Sequence, residues 1–567
     1  MFGFGKTTKD PLSDAKTVDR WLAAFPVNDP LAMHAGVLAE LGRAAERDAR
    51  RTPARLEAAF LLDLRTEPLR KSLTTQYLEH GSRSTKVENQ LWQALFDLTQ
   101  GFLLCYQAFA REVSAHAQSN KWQSLLPQLI ARQIIHQGLD AKVRLFRYEQ
   151  WIPAKWTDLH SLFQMACSAQ NERQPLAVLP EGGVTTIEHE YLRVLMLQLM
   201  NAGNLTPRHL EWVAEQLPEW CAPLRLSIEG SSATTFYVDL SSRAGLRRRT
   251  PDPLEGRVLF LDTRPLHAML MQNVIMLDHK VRNNPLSERT PRRADQLNLL
   301  SKLASQVDPE FRPLARRGER TTADGSVDAI IGFAKISGFL RDQEMTATIV
   351  ERKRGPSTFG DTVEIATFGR MRSETARVTE MTQRRLATYA PPGGSWEVRD
   401  VSQTGFRLVA PMSMINVVTL GTIAAIRPKA QNDGRWTVGI VRRMKRLTTD
   451  RAEIGLQVIA NNLVGVELSE IKKGDTDYSV DGETTTASAR QFSGLFLSLK
   501  KREGEPPVQT LVVPPGEYQP GKRLHMQVGE SSRRIAFGRL LEQHPDWVWA
   551  TLEPLPSPAQ DSSAPAH

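Results

Sequence analysis

Few constellations in this chain could do chemistry by residue type and spacing. The densest lies in WEVRDVSQTGFRL, Trp396 to Leu408, where two alternating runs flank Asp400, Ser402 and Gly405. Asp and Ser two apart at a strand end project oxygens to one side, where they accept from ligand N–H groups or brace the turn. A glycine three residues further on allows positive φ or close approach by a ligand. A satisfied turn, with Asp and Ser capping backbone amides, needs no ligand and fits the same residues. Other chemistries fail on spacing. Gly5-Lys6-Thr7 lacks the upstream glycine and buried strand with which a phosphate loop wraps its backbone amides round an anion. The 12 histidines form no His-x-x-x-His pair and there is no Cys-x-x-Cys, so no metal site is expected. Glu188-His189-Glu190 is the densest cluster, but neighbours one apart on a helix diverge. No Gly-x-Ser-x-Gly elbow occurs, and Cys105, Cys167 and Cys221 sit in apolar stripes as small hydrophobes. Asp239, before the basic turn of VDLSSRAGLRRR, reads as part of a hydrophilic loop. The expectation is that the chain is not an enzyme.

The elements that must position these residues divide the 567-residue chain into several domains. Residues 1–225 read as a helical domain, an array in which Leu91, Leu95, Leu98, Phe102 and Cys105 share one stripe. TPRHLEWVAEQL has a Thr-Pro helix start, and Thr185 and Thr186 precede IEHEYLRVLMLQLM as caps. Residues 226–340 read as an α+β segment, with LRLSIEG, TTFYVDLSS and RVLFLDTRPL alternating as strands. DAIIGFAKISGFL is strand-like, and the pattern does not say which sheet takes it. Residues 341–394 are polar and weakly periodic, a long and partly disordered insertion. Short strands in quick succession over 395–473 predict an antiparallel barrel, and a second β set over 490–555 a small C-terminal β-domain. The Ser/Ala/Pro-rich tail 556–567 is expected to be disordered.

Composition narrows the function classes. With 41% hydrophobic and 24% charged residues, and no apolar run of the ~18 residues a span requires, no membrane span is expected. The net charge of +9, from 72 Lys and Arg against 63 Asp and Glu, mildly favours an anionic partner. Arg247-Arg248-Arg249, Arg316-Arg317, Arg384-Arg385 and Arg442-Arg443 suit phosphate forks and solvated loops alike. Nucleic acid is not favoured, because the cations are neither gathered on one helix nor interleaved with aromatics. The N-terminus shows no apolar stretch with a cleavage site, and three separated cysteines suit a reducing compartment, so a cytoplasmic location is expected.

Asp400-x-Ser402-x-x-Gly405, followed by GFRL, Gly421 before TIAAIRP, WTVGIVRRMKR and AEIGLQVI, resembles the PilZ domain, a bacterial receptor for cyclic di-GMP. The resemblance covers about residues 384–465. It implies a six-stranded antiparallel barrel that binds cyclic di-GMP through these residues. It also implies an Arg-x-x-x-Arg pair upstream, gripping phosphates and bases. Reading back from Asp400, the arginines are Arg399, Arg385, Arg384, Arg377, Arg372 and Arg370, and no two are four apart. Either Arg384 and Arg385 supply the phosphate contacts, with Arg442 as the strand arginine facing the ligand, or the barrel has kept its fold and lost its ligand. The expected whole is a multidomain bacterial signalling protein: an all-α N-terminal helical array, an α+β middle, a PilZ-like six-stranded barrel and a small C-terminal β-domain. Cyclic di-GMP is its expected ligand, no cofactor is implied, and an unidentified protein partner receives the signal. The alternative is a ligand-free scaffold for pilus, flagellar or envelope machinery.

Overall fold

A computed structural model describes residues 10–555 apart from 27–28, 81–83, 179–182, 202–204, 232–233, 250–255, 284–289, 311–320, 342–383, 385–387, 390–394, 403, 415–417, 430–435, 449, 462–463, 472–490, 500–507 and 529–530. Most of the stretch read as a disordered insertion, and the C-terminal tail, lie outside the described residues. The chain forms two compact units, Met1–Arg312 and Pro313–His567.

The first unit is the expected helical array. Leu91, Leu95, Leu98, Phe102 and Cys105 are all buried along the helix Thr85–Ala115. Thr206 caps Pro207–Cys221 by accepting from the His209 amide, and Thr186 Oγ1 accepts from the His189 amide. Four helices, Pro53–Arg65, Glu67–His80, Thr85–Ala115 and Leu126–Leu145, meet at one buried carboxylate. Asp63 accepts from Arg132 at 2.8 Å, Tyr106 Oη at 2.9 Å and Arg70 at 3.1 Å, and His136 Nε2 lies 3.0 Å away. Burial alone would raise the Asp63 pKa, but His136, Arg132 and Arg70 outweigh it and hold the carboxyl well below the usual range. A four-stranded sheet follows, of β1 (Leu226–Ser227), β2 (Phe236–Asp239), β3 (Arg247–Arg248) and β4 (Val258–Leu261), in the order β1-β4-β2-β3. Its Leu226, Phe236, Val238 and Leu261 join the helical core.

The second unit holds two closed six-stranded antiparallel barrels. The first comprises β5 (Thr321–Ile331), β6 (Trp396–Ser402), β7 (Gly405–Pro411), β8 (Ile423–Pro428), β9 (Thr437–Arg446) and β10 (Arg451–Ala460), in the order β10-β7-β6-β5-β8-β9. The second comprises β11 (Val464–Glu470), β12 (Gln491–Leu499), β13 (Val508–Val513), β14 (Arg523–Val528), β15 (Ser531–His544) and β16 (Trp547–Pro554), in the order β11-β12-β13-β16-β15-β14. Each barrel is a single ring of antiparallel neighbours, so neither leaves a free sheet edge. A glycine turn recurs in both, Gly421 (φ 85°) before β8 and Gly521 (φ 73°) before β14. The Gly421 amide donates to Val441 O, and the Val441 amide donates to Thr422 O; Gly521, Phe537 and Lys522 repeat that pattern.

Strand membership departs from the sequence reading at both ends of the first barrel. Its opening strand is β5, which lies far upstream and pairs with both β6 and β8. Residues 464–470, which fall inside the bounds 395–473 read for this barrel, instead form the strand that opens the second barrel. Of the ambiguous DAIIGFAKISGFL, the first part finishes β5 and residues 333–341 are helical. Phe333, Ile336, Phe339 and Leu340 of that helix share a core with Ile423, Val438 and Ile440 of the first barrel and Leu495, Val512 and Trp547 of the second. Trp547 Nε1 donates to Gly421 O at 3.1 Å, and His544 Nε2 lies 3.2 Å from Leu420 O.

Asp63→Ala strips the partner from buried Arg132, and removing one member of a buried pair costs about 3–5 kcal/mol. Denaturant unfolding of the helical unit is expected to show that loss, with Asp19→Ala, at an exposed pair with Arg65, changing stability by under about 1 kcal/mol. Gly421→Ala and Gly521→Ala both strain a left-handed residue, by about 1–2 kcal/mol. Only at 421 would the new Cβ also stand 2.5 Å from His544 Cδ2, whereas nothing lies within 4 Å at 521. Urea titration of the two variants should therefore find Gly421→Ala the more damaging.

Candidate ligand-binding face of the first barrel

The hairpin β6–β7 gathers Asp400, Ser402 and Gly405 on one side, and a β-bulge is the reason. Val398 pairs with Leu408 and Asp400 with Arg407, leaving Arg399 as the extra residue. Regular alternation would place Arg399 on the face of Glu397. The bulge puts Asp400 there instead, directly across from Arg407. Ser402 and Gly405 follow on the same face as the last pair before the turn.

Each of the three residues is engaged within the barrel. Asp400 is buried and accepts from Arg407 Nη1 at 3.3 Å, while Arg407 Nη2 meets Glu453 Oε2 of β10 at 2.8 Å. Ser402 Oγ donates to Gly405 O at 3.2 Å, closing the turn. Gly405 does not have positive φ, and the approach it permits is that of a strand. A Cβ there would stand 2.7 Å from Leu456 O of β10. The expectation of a positive φ at this glycine is thus corrected, and packing of β7 on β10 by itself requires a glycine here.

Arg442 stands apart from these residues. A second bulge makes it the unpaired residue of β9, since Gly455 pairs with Arg443 and Leu456 with Val441. Its guanidinium reaches Gln457 Oε1 at 2.8 Å and Glu542 of the second barrel at 2.6 Å, so it joins the two barrels. The arginine that lies in the cross-strand row of Asp400 is its neighbour. Arg443 pairs with Gly455, Gly455 with Arg407, and Arg407 with Asp400, a row across four strands. Alternation in GIVRRMKR says that only one of the two arginines faces a ligand, and the bulge interrupts that alternation: Arg443 lies in the row, while Arg442 reaches Gln457, the partner of Gly405. Arg384 is exposed, and its carbonyl accepts from Thr388 Oγ1 at 3.2 Å. Arg385 lies outside the described residues.

Sequence reasoning missed Arg407 and Glu453, because β6–β7–β10 register is invisible without the barrel. The sequence reading also begins the barrel at residue 395, so the arginines it weighs follow β5 in the chain. With β5 opening the barrel, the arginines that precede it in the chain are Arg312, Arg316, Arg317 and Arg320. Arg312 and Arg316 are four apart, as are Arg316 and Arg320. They lie outside the described residues, but Arg320 is covalently joined to Thr321, and Thr321 and Thr322 pair with Val401 and Asp400. That spacing is visible in the sequence, whereas the start of the barrel at β5 is not.

Among the described residues, no group of three or more His, Cys, Asp or Glu side chains could hold a metal ion, and no helix is long and apolar enough to cross a membrane. Residues 16–232, within the helical unit, match the family model of the N-terminal domain of the cyclic-di-GMP receptor FimW. No curated protein and no solved structure matches the chain.

Gly405→Ala forces a methyl group against a backbone carbonyl, and such overpacking costs about 1–3 kcal/mol. Gly325 of β5 is the control, since nothing lies within 4 Å of where its Cβ would stand and its φ is not positive. Thermal unfolding is expected to fall for Gly405→Ala and to hold within experimental error for Gly325→Ala.

Proposed function

We propose that this protein is a bacterial, cytoplasmic receptor that binds cyclic di-GMP on the outer wall of a PilZ-like barrel and passes the signal to a protein partner. The observation that carries the reading is the match of residues 16–232 to a cyclic-di-GMP receptor family on a chain that also bears a separate six-stranded barrel with Asp400, Ser402 and Gly405 on one hairpin. Its supporting chemistry is a mixed-charge face beside a run of arginines. A cyclic dinucleotide presents two phosphates, which guanidinium forks bind by paired charge-assisted hydrogen bonds, and guanine edges, whose N–H groups a carboxylate accepts. Arg316 and Arg320 are the arginines of the expected spacing, joined in sequence to the strand that pairs with β6. They replace Arg384 and Arg385 as first choice for the phosphate contacts. The role is binding, with no catalytic step assigned.

One observation favours the rival reading, a ligand-free scaffold: Asp400, Ser402 and Gly405 are each satisfied by the barrel itself. Isothermal titration with cyclic di-GMP separates the two. Binding in the micromolar range, on the order of −8 kcal/mol, is expected for the intact chain. Arg316→Ala/Arg320→Ala should weaken it at least about tenfold, or about 1.4 kcal/mol, while Arg384→Ala/Arg385→Ala leaves it within about twofold. Absence of heat at tens of micromolar, on the order of −6 kcal/mol or weaker, supports the scaffold instead.

A further inference from the structure

The outer wall that carries Asp400 has a gap in its side chains. Across β6, β7, β10 and β9 the row runs Asp400, Arg407, Gly455, Arg443. Neighbouring strands lie about 4.8 Å apart, so the Arg407 and Arg443 backbones stand about 10 Å from each other with only Gly455 between them. The glycine is not there for backbone conformation, since its φ is not positive. A Cβ at 455 would meet the Arg443 Cβ at 3.1 Å, so any side chain would crowd Arg443 and fill the floor of the gap.

The two arginines that flank this floor are held differently. Arg407 is fixed by Asp400 and Glu453, and hydrogen bonding to Glu453 first, then to Asp400, favours its charged form. Arg443 is exposed, and its side chain makes no ion pair or hydrogen bond with a described residue. The groups around them on the same face are Glu397, Asp400 and Glu453 against Arg407, Arg443, Lys445 and Arg451. Three carboxylates meet four cations, and Glu397 is already paired with Arg451. Asp400 and Glu453 are both on Arg407, so the unbalanced cations are Arg443 and Lys445, on the β9 side of the glycine gap.

We propose that Gly455 is the floor of a phosphate seat flanked by Arg407 and Arg443, and that Arg443 is a ligand-contacting residue while its neighbour Arg442 is not. This rests on the reading of the barrel as a cyclic-di-GMP receptor and deepens it: one phosphate goes to the arginines ahead of β5, and the other to this seat. A guanidinium on a strand residue, with no anion among the described residues, is suited to a phosphate fork. Arg442, tied to Glu542, has its anion already.

The test compares adjacent arginines in the full chain by calorimetric titration of cyclic di-GMP at about 50 and 300 mM NaCl, since exposed charge pairs are screened over that range. Arg443→Ala is expected to weaken binding about tenfold and to flatten its salt dependence, and Arg443→Lys to keep the salt dependence while recovering only part of the affinity. Gly455→Val, which removes no charge, is expected to weaken binding by a similar factor. Arg442→Ala is expected to leave affinity within about twofold. Thermal unfolding of each variant verifies that the barrel is folded. Wild-type binding that Arg443→Ala leaves unchanged, or that Arg442→Ala weakens more, overturns the seat while keeping the receptor reading. A wild-type chain that does not bind cyclic di-GMP overturns both.

Discussion

Closure of the first barrel depends on one strand. β5 carries hydrogen bonds on both edges, to β6 along Thr321–Val327 and to β8 along Val327–Ile331, and without it the sheet would have two open edges. Both ends of β5 then determine what surrounds it. Its start lies beside Val401 and Asp400, so whatever precedes Thr321 in the chain begins at the candidate ligand face. Its end runs through Gly332 (φ 91°) into the helix 333–341, whose apolar side chains fill the space where the two barrels meet. A strand contributed from far upstream thus links the polar hairpin at one end with the interbarrel core at the other.

Much of this architecture was legible in the sequence. Helical periodicity placed the N-terminal array because a stripe such as Leu91, Leu95, Leu98, Phe102 and Cys105 has only one way to be buried. Alternation and turn residues found the strands from Trp396 onward. What escaped was non-local. Nothing in TTADGSVDAII says that it pairs with a strand more than sixty residues later, and a strand buried in a closed barrel has no periodic mark of its partners. The second barrel was visible as strands and invisible as a closed ring, because closure is a matter of pairing and not of pattern.

The candidate site was half legible for a related reason. Asp400, Ser402 and Gly405 were found from type and spacing, but what each touches depends on register. Two bulges, at Arg399 and Arg442, shift the alternation by one residue each. Without the first, Asp400 would leave the face of Arg407. The second leaves Arg442 outside the ladder, between Val441 opposite Leu456 and Arg443 opposite Gly455. A period-two argument reads a strand correctly up to a bulge and inverts every assignment after it, so alternation alone does not choose between Arg442 and Arg443.

The helix 333–341 has a further consequence through the residue that packs back on it. Tyr389 stands T-shaped against Phe339 at 5.9 Å and comes within 3.2 Å of where a Cβ on Gly338 would lie. The chain therefore departs after Arg341 and is again in contact with the same helix by Tyr389. For a loop whose ends are already pinned together, the closure entropy grows only with the logarithm of its length. A change in the number of residues between those two points therefore costs the barrel little closure entropy, about 0.6 kcal/mol for a doubling.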